Sequence, residues 1–348
     1  MPHRYALVIA LALSATAIAH GRAQTPAPRA GGAKPTAAKP WMPPRTPDGQ
    51  PDLQGIWLDN DATPLERPKA LEGKQFLTDE ELNTLKKNAA RLFGGGLDSD
   101  FAGGDNFFLG ALANPDIYTN RNSTGGIDNI TLREFDNRTS LIVVPPDGRI
   151  PMTPAGQQRR LADNASAFLA PRSHPPEGPE ELSNFIRCIS YGAPRLGGPS
   201  ASYHSYYQIV QTPGYVMFLS EAFHDARIIP LDGHAHAPSQ IRLWHGDPRG
   251  HWEGNTLIVE TTNFSPKSRL LGSAENLNVI ERFTRTAADR IRYEITLTDP
   301  TTWERSWTAV VRLKRSQEAI YEDACHEGNQ VVMSTILAGA RADEKTKN

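Results

Sequence analysis

The stretch from residue 276 to residue 300, NLNVIERFTRTAADRIRYEITLTDP, predicts the fold of this chain. Apolar residues recur at every second position on both sides of a short polar segment, residues 287–289. Because successive side chains of a β-strand point to opposite faces, this period of two predicts two antiparallel strands, each with one buried face. The predicted buried residues are Leu277, Val279, Glu281 and Phe283 on the first strand and Ile291, Tyr293, Ile295 and Leu297 on the second.

Two further strand pairs precede this stretch. The segment YYQIVQTPGYVMFLSE (206–221) turns at Pro213 and Gly214, and GHWEGNTLIVETTNF (250–264) turns at residues 253–255. Apolar strands that flank short Gly-containing turns are typical of β-hairpins. Both segments are therefore predicted to be hairpins.

A last strong alternation follows in WERSWTAVVRLKRS (303–316) and places Trp303, Arg305 and Trp307 on one predicted inner face. Consecutive antiparallel strands predict a mainly β protein, in which the meander closes as a barrel or a strongly twisted sheet. The N-terminal half lacks this alternation, so we expect it to be irregular and partly helical.

Residues 1–24 have the features of a secretory signal peptide, with a basic start, an apolar run over residues 5–19 and small residues at a cleavage pattern. A membrane span needs about 20 apolar residues, so this run predicts export and removal of the segment. We expect a periplasmic or secreted protein without a membrane anchor.

The rest of the chain divides by composition and pattern. Helix-start signals occur at Thr78, which forms a capping box with Glu81, and at Thr153 ahead of a proline. The predicted divisions are a disordered leader rich in Pro, Ala and Gly (25–47), an irregular region with two helices (48–200), the β meander with a C-terminal helix (201–340) and a tail (341–348).

Charge and cysteine content limit the partners and the compartment. The chain carries 37 Lys and Arg against 39 Asp and Glu, so no long-range field would attract nucleic acid or an anionic membrane. In an oxidising compartment, Cys188 and Cys325 are expected to pair; the alternative is two buried free thiols. We therefore expect a small-molecule substrate or ligand as the partner, whereas the sequence leaves the oligomeric state open.

Two charged residues fall on otherwise apolar predicted faces, Glu281 and Arg305. An isolated buried charge is costly, so each needs a partner. They either pair with each other as a structural bridge or line a ligand cavity, with Trp303 and Trp307 as its aromatic walls and Glu281 as an acid or base.

The segment SEAFHDARIIPLDG (220–233) brings titratable residues together at the end of a predicted strand. Imidazole gives and takes protons near neutral pH, so His224 is the candidate acid or base, with Asp225 or Glu281 as its partner. The alternative is a surface histidine that only ties two strands together. The candidate substrate-binding residues are Arg138, Tyr203, Arg227, Trp303 and Arg305.

A metal site is the main alternative to metal-free chemistry. His234 and His236 would share a side if extended, and His251 follows, but the segment that holds the first two is predicted to be a loop. The wider set of possible ligands also includes His224, His245 and Glu253. No nucleotide-binding glycine motif or haem-attachment motif occurs, so we expect chemistry without a cofactor.

Seven motifs together resemble a family of exported bacterial proteins, over nearly the whole chain after the signal peptide. The motifs are PDLQGIW (51–57), FDNRTSLIVVPPDGRIPMT (135–153), HDARIIPLDG (224–233), RGHWEGNTLIVETTNF (249–264), ENLNVIERFTR (275–285), DPTTWERSWT (299–308) and YEDACHEGN (321–329). The resemblance implies export and brings no activity. His234 and His245 depart from its pattern, which argues against the metal site.

More loosely, GIW (55–57) followed by a meander with inward aromatic residues is similar to lipocalin-like barrels, some of which are hydratases, cyclases or isomerases. Function has to follow from the site rather than from the fold. The first hypothesis is a cofactor-independent enzyme that uses acid–base chemistry, as a lyase, hydratase or isomerase, on a medium-sized, partly apolar or aromatic molecule. The alternatives are a non-catalytic small-molecule binding protein and a metal-dependent hydrolase.

Overall fold

Ten β-strands form one antiparallel sheet in the computed structural model, which describes residues 41–59, 61, 63–93, 134–165, 176–190, 206–322 and 324–347. The strands are β1 Gly55–Asp59, β2 Ile142–Val144, β3 Tyr206–Thr212, β4 Tyr215–Ser220, β5 Ala226–Pro230, β6 Asp247–Glu253, β7 Thr256–Thr262, β8 Asn278–Ala287, β9 Arg290–Thr298 and β10 Trp307–Arg315. Their order is β5-β4-β3-β1-β10-β9-β8-β7-β6, and β2 pairs with β10 beside β1. The predicted mainly β fold is confirmed.

The two outermost strands of this order, β5 and β6, lie against each other, which makes the sheet a nearly closed barrel. Gly250 of β6 allows this approach, because a Cβ there would lie 2.7 Å from Cγ2 of Ile229 and 2.8 Å from Cδ2 of Leu231. Among the described strands, no hydrogen-bonded ladder joins β5 to β6. Side-chain packing therefore closes this seam.

The inner faces follow the predicted alternation. The eight residues predicted to be buried on β8 and β9 are at most 7% exposed. On β10 the inner residues are Trp307, Ala309, Val311 and Leu313. The inward placement of Arg305 is wrong: residues 304–306 form a bend before β10 begins at Trp307, so the period of two does not reach Arg305, which is exposed.

One end of the barrel, here called the closed end, is covered by residues 41–54. Leu53 is fully buried, and its N–H donates to Oε1 of Gln211 over 2.6 Å. Arg285 donates to the carbonyl oxygen of Asp52 over 2.7 Å and lies over the rings of Trp41 and Trp57. The opposite end, where β5, β6 and β8 begin, is here called the site end.

The helices are α1 Asp79–Phe93, α2 Pro154–Ala165 and α3 Asn329–Lys347 in the described residues, with single 3-10 turns at Lys69–Leu71, Pro179–Glu181 and Ala222–His224. The capping box ahead of α1 is present, since Thr78 N–H donates to Oε2 of Glu81 and Glu81 N–H donates to Oγ1 of Thr78. The C-terminal helix continues to Lys347, past residue 340 where the sequence pattern places its end. No helix in the described part of the chain is long and apolar enough to cross a membrane.

Helix α2 packs closely against the site end of the barrel. A Cβ on Gly156 would lie 2.9 Å from the carbonyl carbon of Thr302, and a Cβ on Gly272 would lie 2.7 Å from the oxygen of Gly156. Arg159 fixes the same contact, because its Nε donates to the oxygen of Gly272 over 2.9 Å and Nη2 donates to Oγ1 of Thr302 over 2.8 Å. The close contact between α2 and the barrel requires glycine at residues 156 and 272.

We expect Gly156→Ala to lower the free energy of unfolding by about 1–3 kcal/mol, because the added methyl group must displace backbone at the contact between α2 and the barrel. Gly339→Ala is the matched control, since a Cβ at this glycine of α3 meets no atom within 4 Å. Alanine favours a helix over glycine by up to about 1 kcal/mol, so the control should be neutral or stabilising. Urea unfolding checks both variants, and equal effects would contradict the close packing.

Cys188 and Cys325 form a disulfide, with their Cα atoms 5.8 Å apart. It joins the segment 176–190 to the residues just before α3. Asn329 at the start of α3 adds a second link, because its Nδ2 donates to the oxygen of Ile186 over 2.9 Å. The predicted pairing is confirmed, and a disulfide is compatible with an oxidising, extracytoplasmic compartment.

Candidate functional site

A tight turn separates the titratable residues of segment 220–233. Phe223 and His224 both have positive φ, at 56° and 45°, so the chain reverses there before β5 begins. The His224 side chain is exposed, whereas Asp225 and Arg227 both lie partly buried on the inner face of the strand. The turn thus directs His224 to the surface and leaves the next two charged residues facing the site end.

A buried ion pair with a phenol lies inside the barrel. Arg227 donates from Nη2 to Oε2 of Glu281 over 2.6 Å and from Nη1 to Oε1 over 3.1 Å. The Tyr293 hydroxyl donates to the same Oε1 over 2.6 Å, and Arg227 Nη2 also donates to Oγ1 of Thr261 over 3.3 Å. The Glu281 side chain is fully buried and that of Arg227 is 12% exposed.

The buried partner of Glu281 is therefore Arg227, and the predicted bridge from Glu281 to Arg305 is wrong. Arg305 lies on the exposed bend before β10, so it cannot reach the interior. Closure of the barrel brings β5 across to β7 and β8, which the strand pattern alone does not show. The sequence analysis identified both Glu281 and Arg227 as candidate site residues. It paired Glu281 with Arg305 or His224, however, and assigned Arg227 to substrate binding.

Burial and neighbouring charges shift the pKa values of Arg227 and Tyr293 in this cluster. Burial disfavours the charged form of Arg227, but the adjacent Glu281 outweighs it and the pKa of Arg227 is raised. Burial and the nearby carboxylate of Glu281 raise the pKa of Tyr293 well above its ordinary value. At neutral pH the phenol is a hydrogen-bond donor and the guanidinium is a cation.

Aromatic rings line the interior next to this cluster. The ring of Phe283 stacks on Tyr293 at 4.4 Å between centroids and contacts Phe218 at 4.6 Å. Trp303 and Trp307 meet edge to face at 5.5 Å and are almost completely buried. The site end thus combines apolar, aromatic walls with one fixed polar cluster.

Several N–H donors in this core have no acceptor among the residues that the structure describes. They are Nε of Arg227 and the indole Nε1 atoms of Trp252, Trp303 and Trp307. A buried donor without a partner costs about 1–3 kcal/mol, so such groups need an explanation such as water or a ligand. A group that accepts a hydrogen bond would therefore be stabilised next to any of these donors in the barrel core.

Asp225 has a histidine partner, but it is His245 rather than His224. Nε2 of His245 lies 3.1 Å from Oδ2 of Asp225, and both side chains are about one quarter exposed, at 22% and 26%. No described hydrogen bond joins His224 to Asp225 or Glu281. The sequence pattern indicates His245 only as a possible metal ligand. It does not predict the contact between His245 and Asp225, because the two residues lie in different loops.

The other histidines fall into separate pairs. His234 contacts Asp232 at 2.8 Å, and His251 contacts Glu253 at 3.1 Å. His236 lies 3.3 Å from Asp247. Over the described ranges, no three His, Cys, Asp or Glu side chains are close enough to hold one metal ion. The structure does not bring His234, His236 and His251 together.

Arg138 lies on the outer side of the barrel wall. Its Nη2 donates to Oδ2 of Asp61 over 3.0 Å, its Nε donates to Asp136 over 2.6 Å, and its Nη1 donates to the oxygen of Val310 over 2.8 Å. These contacts fasten the N-terminal region to β10. Trp303 is almost completely buried at the site end, and Tyr203 lies outside the described residues.

A polar cleft of about 450 Å³ lies between α2 and the site end. Arg159, Asp163 and Arg269 line it together with Asp299. Burial raises the pKa of Asp163 even though Arg269 is 2.9 Å away. The cleft is open, and no aromatic residue of the described chain lines it.

The fold and the site together define a nearly closed antiparallel barrel, an architecture that can bind small molecules. No protein-family model and no curated protein matches the chain. Among solved structures, a crystal structure of a mutant of the fluorescent protein UnaG is 14% identical, covers 39% of this chain and 87% of that chain, and superposes with a TM-score of 0.21. A likeness this weak supports no conclusion about the ligand.

Proposed function

We propose that this protein binds a small molecule at the site end of the barrel, and that the molecule has an apolar or aromatic body and an uncharged hydrogen-bond acceptor such as a carbonyl oxygen. The observation that carries the proposal is the set of buried donors without acceptors, Arg227 Nε and the indole nitrogens of Trp303 and Trp307. A carbonyl oxygen would supply an acceptor for such a donor, and neighbouring aromatic rings would pack against the apolar body.

The charge balance favours an uncharged acceptor over an anion. Glu281 already neutralises Arg227 through two hydrogen bonds, so the pair presents a donor without net positive charge. Both oxygens of Glu281 accept hydrogen bonds, from Arg227 and from Tyr293, and this occupancy leaves it poorly placed to take a proton from a ligand. We therefore assign Glu281 to the positioning of Arg227 rather than to the role of a base.

We further propose that the protein works outside the cytoplasm. The signal-peptide pattern of residues 1–24 and the disulfide between Cys188 and Cys325 support this location. Analysis of the mature N-terminus of the protein purified from its native host checks the proposal. An intact residue 1 in a cytoplasmic fraction would contradict it.

The binding test compares two ligands of nearly equal size, 2-tetralone and tetralin, where only the first has a carbonyl acceptor. We expect 2-tetralone to bind and to raise the melting temperature, and tetralin to bind about twofold to tenfold more weakly, since a neutral hydrogen bond contributes about 0.5–1.5 kcal/mol. Tryptophan fluorescence titration and thermal shift provide two independent measurements.

Trp307→Phe is the sharpest variant, because it keeps an aromatic ring and removes the donor. Without ligand, loss of the buried N–H that has no acceptor should offset part of the stability lost to the cavity that the smaller ring leaves. With 2-tetralone, it should weaken binding about twofold to tenfold. Trp244→Phe, at a tryptophan that is 36% exposed, is the matched control and should bind as the wild type does. Equal binding of ketone and hydrocarbon by the wild type would contradict the proposal.

A further inference from the structure

We propose that Asp225 and His245 form a proton-transfer pair that acts on this bound molecule, removing a proton from the carbon next to a carbonyl group whose oxygen is held by Arg227. The inference rests on the proposed binding function and adds an activity to the same site. The substrate class is an apolar or aromatic ketone or related carbonyl compound with an acidic C–H bond. Asp225 is a positioning residue, and His245 is the catalytic residue.

The contact with Asp225 determines which nitrogen of His245 can act as a base. Neutral imidazole has one nitrogen that carries hydrogen and one that has a free lone pair. Nε2 faces the carboxylate of Asp225 at 3.1 Å, so the hydrogen is favoured on Nε2. The lone pair then lies on Nδ1, which is buried and has no hydrogen-bond partner among the described residues. A buried imidazole nitrogen with a free lone pair is suited to accept a proton.

Strand geometry places Asp225, the residue that orients this base, close to Arg227. Asp225 and Arg227 are two residues apart at the start of β5 and lie on the same face, so their Cα atoms are roughly 7 Å apart. A ligand whose oxygen binds Nε of Arg227 therefore lies near the carboxylate that contacts His245. The same strand therefore supplies the donor for the oxygen and the residue that orients the base.

The loop before β6 holds His245 in place. Gly246, the next residue, has a φ of 68°, and a Cβ there would lie 2.6 Å from both Cγ2 of Thr261 and the oxygen of Thr262. Only glycine permits this approach of the loop to β7. His245 thus projects from a fixed backbone position, as proton transfer at a defined carbon requires.

The chemistry balances without an oxidant or a metal. The α-proton moves to Nδ1 of His245, and the electron pair of the broken C–H bond forms the C=C bond of an enolate. The negative oxygen of the enolate accepts a stronger hydrogen bond from Nε of Arg227 than the ketone oxygen does, and this offsets part of the cost of a negative charge beside the neutral Arg227–Glu281 pair. The proton then returns from His245 to the same carbon, or to a conjugated carbon with a shift of the double bond. The net result is proton exchange or isomerisation.

This pair replaces the predicted combination of His224 with Asp225. His224 is exposed beyond the turn, whereas His245 reaches the inner face of β5 from another loop.

The test measures exchange of the α-protons of 2-tetralone for deuterium in D₂O by NMR, with binding measured in parallel. The wild type should accelerate exchange over buffer. His245→Gln should lower the protein-dependent rate at least tenfold while the Kd changes less than twofold, since general acid–base groups contribute about 10²–10⁴-fold. Asp225→Asn should lower the rate with retained binding. His326→Gln, at an exposed histidine, is the control and should match the wild type.

The outcomes separate this inference from the proposed function. If 2-tetralone binds to the wild type without exchange, binding stands and the proton-transfer pair is wrong. If His224→Gln abolishes exchange and His245→Gln does not, the base is His224. If neither ketone nor hydrocarbon binds, the proposed function fails and the inference fails with it. Circular dichroism of each variant shows whether it folds. If His245→Gln does not fold, Asp225→Asn still tests the proton-transfer pair.

Discussion

Replacing Glu281 with alanine is expected to lower the free energy of unfolding by about 3–5 kcal/mol, because it leaves the charge of Arg227 buried without its partner. The Glu281 side chain is fully buried and accepts hydrogen bonds from Arg227 and Tyr293, so the variant removes acceptors for both. Denaturant unfolding of the two proteins at neutral pH measures the effect. A loss of this size is a large part of the stability of a single domain.

Two controls show whether the effect comes from the buried charge. Glu253→Ala removes a carboxylate that is 61% exposed and paired with His251, and should change stability by less than about 0.5 kcal/mol. The double variant Arg227→Met/Glu281→Met should be more stable than either single variant, because it leaves no unpaired charge. Additive losses in the double variant would contradict the buried pair.

Removal of the disulfide with Cys188→Ser/Cys325→Ser should lower the free energy of unfolding by about 4–5 kcal/mol in the chain-entropy account. The bridge spans 137 residues, and a longer loop loses more freedom in the unfolded chain when it is closed. Denaturant unfolding of the oxidised wild type and the double variant measures the difference.

Dithiothreitol supplies the matched control for this variant. Reduction of the wild type should reproduce the stability of the double-serine variant within about 1 kcal/mol, and the reagent should leave that variant unchanged. The segment 176–190 should also gain protease sensitivity, because the bridge is one of its links to the C-terminal helix. A change below about 1 kcal/mol on loss of the bridge would show that other contacts hold this segment.

The sequence predicted the parts of the fold that depend on neighbouring residues. The β8 and β9 pair follows from alternation on both sides of a short turn, and the β3 and β4 hairpin follows from Pro213 and Gly214 at its turn. The capping box of Thr78 and Glu81 is likewise a local signal, because the two residues contact each other across one helical turn. These features need no information from elsewhere in the chain.

The predictions that were wrong concern contacts between residues that are distant in the chain. Glu281 was correctly expected to be buried, but its partner Arg227 is 54 residues away and reaches it only because the barrel closes. His245 meets Asp225 across two loops for the same reason. Arg305 shows a different failure, since alternation of residue types continued through a bend where strand geometry did not. A pattern shows which face a residue occupies only while the strand continues.

The position of β1 has a consequence for how the chain folds. This early strand lies between β3 and β10, so residues 55–59 pair with a strand that ends at residue 315. Pairings between residues so distant in the chain form late and slow the acquisition of structure. During synthesis the barrel wall has a gap beside β1 until its last strand has left the ribosome. The barrel therefore cannot close until β10, near the end of the described chain, has been synthesised.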